Sequence, residues 1–437
     1  MMNLGTILRP VTGAGLLAVS DQIVVGATHH ESVLLDQAVS DALGSESWAV
    51  RRQAAFDASF ALIGAITKRL GIEGDREIID LATELFATLG LGQLRFDISA
   101  TGGEVIGSDL LFGGGYVERQ SPGRGARLRH HSDAFAAGFA AAAASIAYPS
   151  DWGSFEADET RCVAKNDSLC LFSLSRRPLT FQPGEGLSRG DAEQLIGPDA
   201  TPESDPIPVG QTTRDIISSC VASDRGIIRI SECRFALMPA AYRSQLTFDT
   251  MHLLEKRSPS AGNTWGPNGN AAVKAAPARL GAIFMDLARE ANRAGMFHIV
   301  GSLFECAPLR DAFGDPPVDP HERVEQLVSI AGALGWGPLS VLEFSPGSRL
   351  VLGATITPEA VYYAARHGGT PQSRLPGLQG LGEALYLLAN DVDWDEMAID
   401  TELYRRIALD GPDLAVEETR SILSGDRECE IVVTKRS

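Results

Sequence analysis

The chain has 437 residues, 44% of them hydrophobic and 22% charged, which is the composition of a folded protein and excludes a disordered or fibrous one. That length exceeds one ordinary core and predicts two or three domains. A net charge of −18 repels phosphates and anionic lipid, Met1 to Ser20 carries no signal-peptide pattern, and the longest apolar run, Phe135 to Tyr148, is too short for a membrane span. A cytoplasmic protein is expected, with no nucleic-acid partner and no membrane span.

Gln22 to Ala27 reads as a strand and Glu31 to Leu43 as an amphipathic helix. In the helical stretch Trp48 to Leu70, Phe56, Phe60, Ile63 and Ile66 recur as a core-facing stripe. Asp75 to Leu89 is a third helix, ended by Gly90, and Gly92 to Ser99 begins a strand. Gly113, Gly114 and Gly115 read as a loop, as does the basic run Arg119 to Arg129. Ser132 or Asp133 can then cap a helix running to about Ala147. That helix is rich in small residues. Gly138, Ala142 and the alanines around them allow a flat ligand or another backbone to come close, while Phe135 and Phe139 supply bulk, so these four are the candidate ligand pocket. Close helix packing is the plainer reading of the same pattern.

Residues 176–213, with six prolines and five glycines breaking the pattern, read as a linker, with a short helix around Asp191 to Leu195. Beyond it come strands near Gly226 to Ile230 and Arg234 to Met238, then helices Tyr242 to Leu254, Arg279 to Gly295, Val324 to Ala333 and Gly377 to Asn390. Arg257 to Ala272 reads as an inserted loop, and Ile431 to Thr434 closes the chain as a strand.

A repeat ties the halves together. Glu159-Thr160-Arg161-Cys162 with Cys170 recurs as Glu418-Thr419-Arg420-Ser421 with Cys429, at one constant interval, and Leu89-Gly90-Leu91-Gly92 recurs as Leu334-Gly335-Trp336-Gly337. Two copies of one α+β domain are therefore expected, 1–175 and 214–437, each with helices on an antiparallel sheet and a closing β-hairpin. In that hairpin Cys162 and Cys170 stand opposite each other around a three-residue turn, Lys165-Asn166-Asp167, so one metal ion can bridge the thiolates. Ser421 replaces the first cysteine in the second copy, which confines the metal to the first. His131 or His130 is the candidate fourth ligand beside Glu159, Cys162 and Cys170. The other four cysteines are scattered, and no disulfide framework is expected.

The run Glu159 to Cys162 followed by Cys170-Leu171-Phe172, with Gly138-Phe139-Ala140 on the helix before it, resembles the 4-vinyl-reductase domain, a relative of the vesicle-tethering fold. The resemblance implies zinc held by Glu159, Cys162 and Cys170 beside an apolar pocket. The cysteine that completes the set in the aromatic-sensing members is missing here, its place falling near Arg129 to His131. It further implies a tandem pseudo-dimer that binds an apolar or aromatic small molecule as a sensor or carrier. The alternative is an adaptor that binds a protein partner or forms a homo-oligomer through the same fold. No phosphate loop, dinucleotide fingerprint, hydrolase triad order or His-Glu-x-x-His helix is present in the sequence, and a non-enzyme is expected.

Overall fold

The structure, a computed structural model, describes residues 8–11, 15–119, 132–178, 184, 186–196, 225–256, 271–305, 310–311, 314–369, 374–394 and 399–436. The first half runs β1 (Leu8–Val11), β2 (Leu16–Val19), β3 (Gln22–Thr28), α1 (His29–Leu43), α2 (Ser47–Leu70), α3 (Asp75–Thr88), β4 (Gln93–Ser99), β5 (Gly102–Ser108), α4 (Leu111–Arg119), α5 (Ala134–Ala147), β6 (Gly153–Arg161) and β7 (Cys170–Pro178). A short helix α6 (Arg189–Ile196) follows. The second half runs β8 (Ile228–Ile230), β9 (Cys233–Pro239), α7 (Ala240–Lys256), α8 (Ala271–Ser302), α9 (Pro320–Ala331), β10 (Leu339–Ser345), β11 (Arg349–Ala354), α10 (Pro358–His367), α11 (Pro376–Asn390), α12 (Thr401–Asp410), β12 (Leu414–Arg420) and β13 (Cys429–Lys435).

The fold is α+β, with antiparallel sheets and the helices packed on them. Each half builds a four-stranded sheet of the same order, β4-β5-β7-β6 and β10-β11-β13-β12. A third sheet, β1-β2-β3-β9-β8, belongs to both halves at once. At its centre β3 pairs with β9 from Val24↔Pro239 to Thr28↔Phe235. Both strands are buried along their whole length, which explains their continuous apolar runs.

The helices exchange across this shared sheet. α1 of the first half packs on α8 of the second, and α2 packs on α7. Polar groups lock the junction: Trp336 Nε1 donates to Gly26 O at 3.2 Å, Arg234 reaches Glu118 at 2.8 Å, and Glu31 is paired with Arg243. The two halves thus pair within one chain.

Small residues act as contact points. A Cβ on Gly138 in α5 would meet Ala55 Cβ and Arg52 O of α2 at 2.5 Å, and one on Gly380 in α11 would meet Arg289 O of α8 at 2.4 Å. The glycine run 113–115 is not the expected loop; it lies inside α4. Its glycines are needed for close approach rather than for a turn: added Cβ atoms there would strike the Asp133 carboxylate, the Arg234 guanidinium and His29. β7 continues to Pro178, past the expected domain limit at 175. Most of the expected linker, the basic loop after Arg119 and nearly all of the 257–272 insertion lie outside the described residues. Among the described residues, no helix is long and apolar enough to cross a membrane.

Candidate metal centre

The end of β6, the start of β7 and the entrance of α5 converge on one buried point. Asp133, Glu159, Cys162 and Cys170 each offer a ligand atom there, all within 4.8 Å of one another. None is more than 2% exposed. Three of the four are the residues expected from the sequence. The fourth is Asp133, which sequence reasoning took for a helix cap; it does occupy the cap position of α5, but its side chain makes no capping bond. The carboxylate instead accepts from Gly113 N at 3.0 Å, Ser132 Oγ at 3.2 Å and Cys170 Sγ at 3.2 Å. His130 and His131 lie outside the described residues. The signal for Asp133 was its place, two residues beyond the stretch where a ligand was sought.

The hairpin differs from a three-residue turn. Its ladder shifts register between Glu159 and Arg161 and ends at Arg161↔Leu171. Val163–Lys165 then form a 3-10 turn rather than opposing Leu169, and Asn166 takes the left-handed conformation at φ 71°. The Asp167 carboxylate closes the loop by accepting Cys162 N at 2.8 Å, which costs the ladder its last pairs but fixes the first thiol. Cys162 Sγ lies 2.8 Å from Ser132 Oγ. Glu159 accepts Ser132 N at 3.0 Å and Asp133 N at 3.5 Å, joining β6 to the start of α5.

The electrostatics suit a cation. Burial, with the Glu159 charge beside it, raises the Asp133 carboxyl to about 7, and the groups that oppose this are hydrogen bonds from Gly113, Cys170 and Ser132, none of them basic. The Cys170 thiol is pushed far up, first by its hydrogen bond with Cys162, then by burial and by the carboxylates of Asp133 and Glu159. Two thiols and two acids packed together with so little compensation form a donor set that a divalent ion would satisfy. Zinc accepts sulfur and carboxylate oxygen in a closed tetrahedron, so the residues fit that metal.

The second half keeps the scaffold without the full donor set. Glu418 accepts Leu375 N at 3.1 Å, and Asp426 closes the loop onto Ser421 N at 2.9 Å. Gly425, at φ 94°, stands where Asn166 stands. Ser421 replaces the first thiol, and burial pushes the remaining Cys429 thiol up to about 12.

The four expected pocket residues are packed. Phe135, Phe139 and Ala142 are 0–1% exposed, and Gly138 is pressed onto α2. Phe135 meets Tyr242 of the second half at 4.8 Å between ring centroids, while Phe112 and Phe86 fill the flanks. Two described cavities, of about 620 and 630 Å³, are lined by other residues, largely polar ones such as Arg289, Arg374 and Arg420 in one and a mixture including Glu84, Arg95, Leu94 and Ile106 in the other. Comparison of the chain with protein-family models, curated proteins and solved structures gave no match.

Proposed function

We propose that the protein is a non-enzymatic binding protein, a fused pair of 4-vinyl-reductase-like domains whose first copy is stapled by a structural zinc ion. The observation that carries this is the closed donor set of Asp133, Glu159, Cys162 and Cys170. Four buried protein ligands leave no position for substrate or for an activated water. The ion would supply charge compensation and a cross-link. Around it, Asp133 and Glu159 hold the start of α5, Cys162 and Cys170 hold the hairpin, and the thiols and Asp133 give up their protons as metal enters.

We read the binding activity as that of an adaptor for a protein partner. Leu280, Ile283 and Leu287 support this: spaced for one face of α8, they are 53%, 55% and 43% exposed. A sensor or carrier of an apolar or aromatic molecule is the second reading, favoured by the aromatic cluster of Phe86, Phe112, Phe135, Phe139 and Tyr242 close to the metal centre. There Tyr242 must move aside to make room. Co-purification from the source cell separates the two. The adaptor reading expects a stoichiometric protein that Leu280→Glu with Ile283→Glu releases; thermal stabilisation by phenols or tetrapyrroles, with no such protein, would replace it.

A further inference from the structure

A second cluster of ligating side chains lies at the seam between the halves. His30 is near the start of α1, Cys233 opens β9, and His298 lies in α8; one ligand atom of each is within 4.8 Å of the other two. The exposures are 3%, 1% and 1%. The β3–β9 ladder creates the site: pairing of Thr28 with Phe235 sets the first turn of α1 beside the first residues of β9. The cluster therefore exists only when the two halves are joined.

Three observations separate it from ordinary core packing. The rings of His30 and His298 stack at 3.9 Å with 25° between their planes, an arrangement that two charged imidazoles would not keep. Both rings are buried, at 3% and 1% exposure, which favours the neutral imidazole with a nitrogen lone pair in each. His298 Nδ1 has no hydrogen-bond partner among the described residues although the residue is 1% exposed, an omission that a merely structural histidine would avoid. Cys233 Sγ lies 3.8 Å from Ser302 Oγ, which helps to orient the thiol.

We infer that His30, Cys233 and His298 form a three-coordinate site for a cuprous ion, bridging the two halves of the molecule. Two imidazoles and one thiolate are a soft donor set of the kind that selects copper. Charge decides between copper and zinc. Arg119 donates to His30 Nδ1 at 3.1 Å and would repel a dication, whereas a monovalent ion with one thiolate and two neutral imidazoles is electrically neutral. Coordination displaces that Arg119 hydrogen bond and releases the Cys233 thiol proton to solvent.

The test uses the full chain, stripped of metal, loaded with Cu(I) under anaerobic conditions, desalted and assayed for copper per chain. Parent, the Cys162→Ser/Cys170→Ser double variant, which removes the other thiol pair, and Cys233→Ala or His298→Gln added to that double variant are compared, with circular dichroism as the check on folding. Copper retained by the parent and by the double variant, and lost when Cys233→Ala or His298→Gln is added, is the expected result. The smaller change, Cys233→Ala, carries the test if His298→Gln does not fold. The proposal is overturned by a parent that retains no copper, by retention unchanged when Cys233→Ala is added, or by copper lost from the double variant. Since the double variant already lacks the thiols of the first-half centre, failure at one site leaves the other standing.

Discussion

Glu159 accepts the backbone N–H of Ser132 at 3.0 Å, tying the last turn of a strand to the entrance of the small-residue helix. The same clasp recurs in the second half, from Glu418 to Leu375 N at 3.1 Å, where one of the thiols is gone. The glutamate of the repeat therefore has a structural duty that does not depend on metal. Glu418→Ala is expected to cost ~1–3 kcal/mol by leaving that N–H unsatisfied. Urea unfolding with and without chelator should give the same loss.

Asp133 behaves differently because its neighbours are acidic or thiol groups. In metal-free protein Asp133→Asn should cost little, since burial and the Glu159 charge raise the carboxyl to about 7 and leave it only about half ionised near neutral pH. In zinc-loaded protein the same change should remove the ion and the stability it gives. Melting curves of both forms, parent beside variant, read the difference directly.

Helix packing supplies a paired prediction. Gly138→Ala puts a methyl 2.5 Å from Ala55 Cβ and the Arg52 carbonyl, and should destabilise by ~1–3 kcal/mol through overpacking. In the facing helix, Gly64 has open space around it, and Gly64→Ala should stabilise by ~0.5–1 kcal/mol because alanine favours the helix. Urea midpoints that move in opposite directions confirm the assignment; a common direction contradicts it.

Much of the fold is legible in the sequence. The stripe on Trp48 to Leu70, the Gly90 stop and the Glu-Thr-Arg repeat mark α2, the end of α3 and the two hairpins, because each is a local pattern. The pairing of β3 with β9 leaves no local trace, since it joins residues about 210 apart and both strands are buried throughout, with no polar face to set a register. The glycines of α4 look like a loop because composition cannot tell conformational need from lack of space. In the site, the cysteines and Glu159 stand out by spacing, whereas Asp133 looks like a cap. Only the folded chain shows that its carboxylate turns toward the thiols instead.

Glu359 gives a pH prediction away from the metal centre. It is buried in the second half, accepts Gly377 N at 3.0 Å, and burial raises it from 4.5 to about 7 despite the opposing charge of Arg243. The folded state thus holds a proton that the unfolded state releases, so this group's contribution to stability falls as pH rises from 4.5 to about 7 and is level above that. The difference is ~3 kcal/mol as an order of magnitude. Glu359→Gln should flatten that part of the stability profile, measured as urea midpoints against pH.

Tyr242 carries the aromatic cluster of the first half into contact with the second, and its hydroxyl donates to Asp36 at 3.4 Å. Tyr242→Ala should cost ~3–5 kcal/mol, as large-to-small core changes do. The resulting cavity, walled by Phe135 and Phe112 with Asp36 at one end, should also bind small aromatics, visible as a raised melting temperature with phenol or indole. No stabilisation by phenol or indole would show that the cluster collapses instead of opening.

The central claim is the zinc centre. Its most direct test is zinc per chain in the Cys233→Ala background, which removes the second cluster, compared with added Cys162→Ser, Asp133→Ala or His131→Ala. The account predicts about one zinc per chain in the background and in His131→Ala, and none in Cys162→Ser or Asp133→Ala. Zinc that survives the loss of Cys162 and Asp133, or a background protein without zinc after loading, would contradict it.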